Sequence, residues 1–231
     1  MAIDQLSPQY QNTAVGTETR NRVLRNTYGL LALSMIPTVI GAWIGVATRF
    51  TFFAGSPAIS FIAFLAIAWA FMAGITRFRN SSTGILLLLG FTFFMGLMLS
   101  RLLGYVLGMA NGTSIVMMAF GSTAAIFGVM ATIATVSKRD FSGMGSWLFI
   151  GMIVILLAAF ANIFLQLPGM MLAISALATV VFSLYILFDL NRIVTGGETN
   201  YVMATLSVYI SLYNVFSNLL ALFGLGGGSN D

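Results

Sequence analysis

The segment MMLAISALATVVFSLYILFDLNRIVTGGETNYVMATLSVYISLYNVFSNLLALF, Met170–Phe223, decides the fold. Two apolar stretches, each longer than twenty residues and carrying a single charged residue between them, flank a polar connection with a Gly-Gly break. A helix rises about 1.5 Å per residue and the hydrocarbon core of a bilayer is about 30 Å thick, so each stretch is long enough to span it. Working outward, five more stretches of the same kind precede this pair, at Thr27–Ala47, Ala58–Ile75, Gly84–Leu103, Ser114–Val136 and Trp147–Leu165. With Met170–Leu190 and Tyr201–Phe223 they predict an all-α membrane protein of seven transmembrane helices.

Composition excludes the alternatives. Hydrophobic residues make up 59% of the 231, and charged residues 7%, against about 25% in an ordinary soluble domain. Mean hydropathy is +0.98. Such a chain cannot cover a water-facing surface, and its length leaves room for one membrane domain, expected over residues 27–223. Residues 1–26 read as a flexible N-terminal tail without the early apolar core of a cleavable signal peptide, and residues 224–231 as a short C-terminal tail. With neither Cys nor His in the sequence, there is no thiol nucleophile, disulfide, imidazole base or His-based metal or haem site. The single lysine, Lys138, lies in a connection, so a retinal Schiff base inside the bundle has no attachment point. No cofactor is expected.

The basic residues orient the chain. Arg20, Arg22, Arg25, Arg77, Arg79, Lys138, Arg139 and Arg192 fall on the side of the N-terminus, and only Arg49 and Arg101 on the other. By the positive-inside rule the N-terminus is cytoplasmic, and an odd number of spans puts the C-terminal tail on the opposite, periplasmic side. The net charge of +4 follows from this distribution and argues for membrane lipids rather than nucleic acid as surroundings, since no clustered basic and aromatic face is present. Small residues four apart, Gly41 with Gly45 and Gly104 with Gly108, suit close approach of helices within the chain. The fourteen methionines are scattered as adaptable filler between spans.

Asp189 is the acid that stands inside a span, and an ionisable group there is a candidate functional residue. A second reading stands beside it: Arg192, three positions on, shares its helix face, so the two could form an ion pair near the interface. In the last span Ser207, Ser211, Asn214 and Asn218 recur at helical spacing, a polar stripe that should turn inward for helix packing or to line a hydrated path. Asn162 and Arg101 sit near span ends, where Arg101 can snorkel to the interface. The connection Arg192–Asn200, with Gly196, Gly197, Glu198 and Asn200, reads as a helix stop followed by the cap of the last span, or as a cytoplasmic docking loop.

The runs ANIFLQLPGMMLAISA (Ala161–Ala176) and GGETNYVMATLSVYISLYNVFSNLL (Gly196–Leu220), with RVLRNTYGLLALS (Arg22–Ser34), resemble the bacterial YccA-like branch of the Bax inhibitor, or TMBIM, family. The resemblance implies a seven-helix bundle whose last helix is central. From its calcium-leak members it implies an acid pair sharing a proton on a cation path. Asp189 matches the first acid, but the second falls at Ser211, so the pair is incomplete. Asp189, Ser211, Asn214 and Arg192 form the candidate ion or proton path. A calcium site is not expected, because Ca²⁺ takes six to eight oxygen ligands, several from carboxylates. From the bacterial branch the resemblance implies a protein of the bacterial inner membrane that modulates the membrane AAA+ protease FtsH and is itself drawn into it by its N-terminal tail. An enzymatic role is disfavoured, since Asp189 has no partner with which to divide acid and base work.

Overall fold

The computed structural model describes residues 8–52, 56–137 and 139–226, with side chains at Glu18 and from Arg20 onward. Seven long helices follow one another: α1 (Pro8–Ala47), α2 (Pro57–Arg77), α3 (Ser82–Leu107), α4 (Gly112–Val136), α5 (Gly145–Leu165), α6 (Pro168–Val194) and α7 (Tyr201–Gly226). A single 3₁₀ turn, Ser142–Met144, leads into α5. All seven are long and apolar enough to cross a membrane, and the described residues contain no strand.

Helix limits follow local chemistry. Pro57 and Pro168 stand in the first turn of α2 and α6, where the missing N–H is not needed and the fixed φ suits a helix. At the end of α5, Gln166 turns left-handed at φ 52° and Asn162 Oδ1 accepts the Leu167 N–H at 3.1 Å. Asn162 therefore caps a helix end. One limit differs from the sequence reading by much more than a turn. α1 extends back to Pro8, through most of the segment expected as a tail. Hydropathy marks where lipid contact can begin, but the helical hydrogen bonds continue beyond it, and Ala, Glu and Arg there are good helix formers. Residues 1–7 and 227–231 and Lys138 lie outside the described residues.

α7 is the hub. It packs against α1, α2, α3, α4 and α6, and between Tyr201 and Leu225 no residue of it is exposed. α5 has no contact with α7 and packs on α6 and α2. The polarity of the bundle is inverted relative to a water-soluble protein. Its outer surface carries Ile36, Val39, Trp43, Trp69, Phe120, Trp147 and Val180, all more than half exposed, while Thr38, Thr92, Ser175, Ser183, Asp189, Thr205 and Ser211 are buried. Lipid offers side-chain polar groups no hydrogen bonds, so they turn inward and the apolar ones outward.

α1 and α3 make the closest crossing. A Cβ on Gly41 would strike the carbonyl oxygen of Phe93, one on Gly45 would strike the Ser100 side chain, and one on Gly96 would strike the carbonyl oxygen of Thr38. The pairs Gly41/Gly45 and Gly96/Ser100, each four residues apart, form facing small-residue seams. Gly104 and Gly108 play no such part: a Cβ on Gly104 would make ordinary contact with Val46 at 3.8 Å, and Gly108 caps α3.

Candidate functional site

Asp189 lies about six turns into α6, five residues before its last residue, which places it about 7.5 Å along the axis from that end. It is buried, at 8% exposure, against α7. The Ser211 hydroxyl donates to its Oδ2 at 3.3 Å. The residue that stands where the resemblance places a second acid is thus the one that touches the first. A carboxylate with one hydroxyl donor can hold or pass a proton, and among the described residues no second carboxylate shares a hydrogen bond with it.

The other two residues of the expected path lie elsewhere. Arg192 does not pair with Asp189. Its Nη2 meets Glu198 Oε2 at 3.8 Å and its guanidinium stands 5.7 Å from the centre of the Phe188 ring. The spacing of three residues is a rule about one helix, whereas the chain after α6 turns back at Gly196, φ 83°, and Glu198 N–H caps the Arg192 carbonyl at 3.1 Å. That return brings a partly exposed acid, Glu198, to the arginine while Asp189 stays buried. Asn214 Nδ2 donates to the Ile210 carbonyl at 2.9 Å, and Asn218 Nδ2 to that of Asn214 at 2.8 Å. The polar stripe of α7 is therefore largely satisfied within its own helix at these two positions.

Gly196, Glu198 and Asn200 build a fastening for one end of the bundle. Asn200 Oδ1 accepts the N–H groups of Val202 and Met203, each at 3.0 Å, and so caps α7. Its Nδ2 donates to the Arg79 carbonyl at 3.2 Å and to Asn80 Oδ1 at 2.7 Å in the α2–α3 connection. Glu198 Oε1 accepts the Asn200 N–H at 2.9 Å. Gly197 completes the turn, its nearest neighbour being the Arg192 carbonyl. At the same end, Asn191 is 1% exposed, accepts the Phe141 N–H at 3.0 Å and donates to the Arg139 carbonyl at 3.2 Å. Arg20 Nη1 reaches the Val194 carbonyl at 3.4 Å. Hydrogen bonds thus join the start of the α1 span and the α4–α5 connection to the last turn of α6, and the α2–α3 connection to the α6–α7 connection.

Two groups escaped the sequence reading. Asn191 was visible only as a polar residue beside Asp189 and Arg192. Tyr209 is 1% exposed and meets α1 and α3 together: its hydroxyl lies 2.8 Å from Thr38 Oγ1 and 3.4 Å from the Thr92 carbonyl. Thr38 also faces the Ser34 carbonyl at 2.9 Å, so the two hydroxyl protons serve three bonds: to Ser34, to Thr92 and between the hydroxyls themselves. Hydroxyls inside apolar spans were the available signal, but which of them would meet is a property of the packing.

These features define a class: a seven-span helical membrane protein built around a buried last helix, with one carboxylate held inside the bundle and its loops fastened at one end. The family model for the inhibitor of apoptosis-promoting Bax1 matches residues 20–228. The chain belongs to this Bax inhibitor family. It is 38% identical to an uncharacterised protein of Neisseria meningitidis serogroup A, over 91% of this chain and 94% of that one. It is 37% identical to a protein of Escherichia coli K12 named modulator of FtsH protease YccA, over 88% of this chain and 90% of the relative. A Vibrio cholerae protein named only as an uncharacterised membrane protein is 37% identical over 89% of this chain and 90% of its own.

Proposed function

We propose that this protein modulates the membrane-bound AAA+ protease FtsH through contacts in the bilayer and at the end of the bundle fastened by Asn191 and Asn200. The observation that carries this reading is its 37% identity, over nine-tenths of both chains, to a protein named as a modulator of that protease. In this reading the fastened end, with Arg20, Arg22, Arg25, Arg77, Arg79, Arg139 and Arg192, is cytoplasmic, in accord with the positive-inside rule. The membrane is the bacterial inner membrane and the role is non-enzymatic. Degradation of the protein by the same protease would begin from the N-terminal segment before the α1 span. The test is crosslinking in native membranes followed by mass spectrometry. The expected result is protease peptides joined to the α2–α3, α4–α5 or α6–α7 connection, and their absence above the level of an unrelated multi-pass protein refutes the reading.

One observation favours a second reading, a proton or cation leak through the bundle. Asp189 is a buried carboxylate between α6 and the central α7, bonded to Ser211, while Arg192 makes its direct contact with Glu198. An acid in such a place is costly to keep, which suits a group retained for ion passage. Proteoliposomes that leak calcium or protons, with the leak altered by Asp189→Asn, are the expected result. Vesicles equally tight with both proteins remove the leak.

A further inference from the structure

Arg49 and Arg101 stand at the end of the bundle opposite the fastened loops, and among the described residues they are the only charged side chains there. They line one cavity of about 460 Å³ together with Gly45, Phe50, Ser100 and Gly104. The volume falls in the range of about 300–1,000 Å³ usual for small-ligand sites. Its shape comes from the tight α1–α3 crossing: helices close enough that Gly45 touches Ser100 put Arg49, just beyond α1, and Arg101, near the end of α3, at one mouth.

Neither arginine has an acidic partner among the described residues, where the ion pair is that of Arg192 with Glu198. The local backbone adds a second observation. Arg49 has φ 52° in a helix-ending turn in which its N–H bonds to the Val46 carbonyl at 3.2 Å and that of Phe50 to the Gly45 carbonyl at 2.8 Å. This position ordinarily takes glycine, because a Cβ is disfavoured in the left-handed region. A charged side chain thus lines the cavity against the preference of its own backbone, and such outliers gather at binding sites.

We propose that this cavity binds a phosphate oxyanion, carried by the headgroup of an anionic phospholipid in the adjoining leaflet or by a free phosphorylated small molecule. The guanidinium fork matches phosphate geometry, and two full positive charges outweigh the partial negative charge, about half an elementary charge, at the C-terminal end of α1. The apolar neighbours Val46 and Phe50 leave room for a glycerol backbone beside the phosphate.

The test is calorimetric titration of the full chain in maltoside micelles with four probes: dihexanoyl phosphatidylglycerol, dihexanoyl phosphatidylcholine, glycerol 3-phosphate and inorganic phosphate. Saturable binding of phosphatidylglycerol at least ten-fold tighter than of the two soluble phosphates identifies the lipid. Comparable binding of glycerol 3-phosphate or inorganic phosphate identifies the soluble source, and either outcome supports the site. R101Q and R49G are each expected to weaken binding at least ten-fold. R49G supplies the residue that the turn prefers, so its unfolding temperature is expected to equal or exceed that of the wild type, which separates lost binding from lost folding. No saturable binding of any probe, binding unchanged in both variants, or phosphatidylcholine binding as tightly as phosphatidylglycerol overturns the proposal.

Discussion

Replacing Gly96 with alanine tests the claim that backbone contact between α1 and α3 sets the spacing of the bundle. The new Cβ would overlap the Thr38 carbonyl oxygen and lie 3.0 Å from the Ala42 nitrogen. Both are main-chain atoms of a helix, and neither can rotate away, so the helices must separate along the seam that Gly41, Gly45 and Ser100 also form. Alanine itself favours the helix by about 1 kcal/mol over glycine. Overpacking costs about 1–3 kcal/mol, and a clash with rigid backbone belongs at the upper end. The net expectation for Gly96→Ala is a loss of about 2 kcal/mol, roughly a thirty-fold shift in the unfolding equilibrium. Gly121→Ala and Gly128→Ala in α4 are the controls, since a Cβ at either position meets nothing within 4 Å. They should be neutral or gain up to about 1 kcal/mol. Reversible unfolding in mixed micelles, followed by circular dichroism, measures all three. A Gly96→Ala protein as stable as the wild type, or α4 variants equally damaged, refutes the reasoning about this crossing.

Three further outcomes follow from the contacts described. Asn200→Ala removes the cap of α7 and both bonds to the α2–α3 connection, so hydrogen exchange at Val202 and Met203 should accelerate, with about 1–2 kcal/mol lost; unchanged protection there would show that the cap is idle. Tyr209→Phe deletes the hydroxyl's two buried hydrogen bonds and should cost about 1–2 kcal/mol, whereas Tyr209→Ala also opens a cavity among three helices and should cost about 3–5 kcal/mol in the same unfolding assay; equal losses would deny the ring its packing role. S211D sets a second carboxylate against Asp189, and two like charges so close cannot both ionise readily. Cation or proton flux into proteoliposomes should then depend more steeply on pH in S211D than in the wild type, and identical profiles would count against an ion path at this pair.

Much of the fold was legible in the residues. Each span could be read because hydrocarbon leaves the backbone few options and admits few charges. The beginning of α1 could not be read in that way. Hydropathy falls at Thr27, but a helix needs only its own hydrogen bonds to continue into a polar setting, and α1 does so back to Pro8. Asp189 was conspicuous as an acid in an apolar run, and Ser211 as part of a stripe and as the counterpart of a missing acid. Their contact joins residues twenty-two positions apart. Of the two readings of Asp189, the ion pair with Arg192 is not the one formed, because helical spacing nominates neighbours on one element and is silent about a loop that folds back and brings Glu198 to the arginine.

Sequence alone determined that the protein is a membrane bundle of seven spans with an acid inside it, because partition between lipid and water acts on each segment separately. Tertiary structure alone decided that Asp189 meets Ser211 while Arg192 meets Glu198, and that Tyr209 joins α1 to α3. It also brought Arg49 and Arg101 to one cavity. These are relations between segments, fixed by how closely Gly41, Gly45 and Gly96 allow helices to approach and by where the chain turns at Gly196. No single segment contains that information.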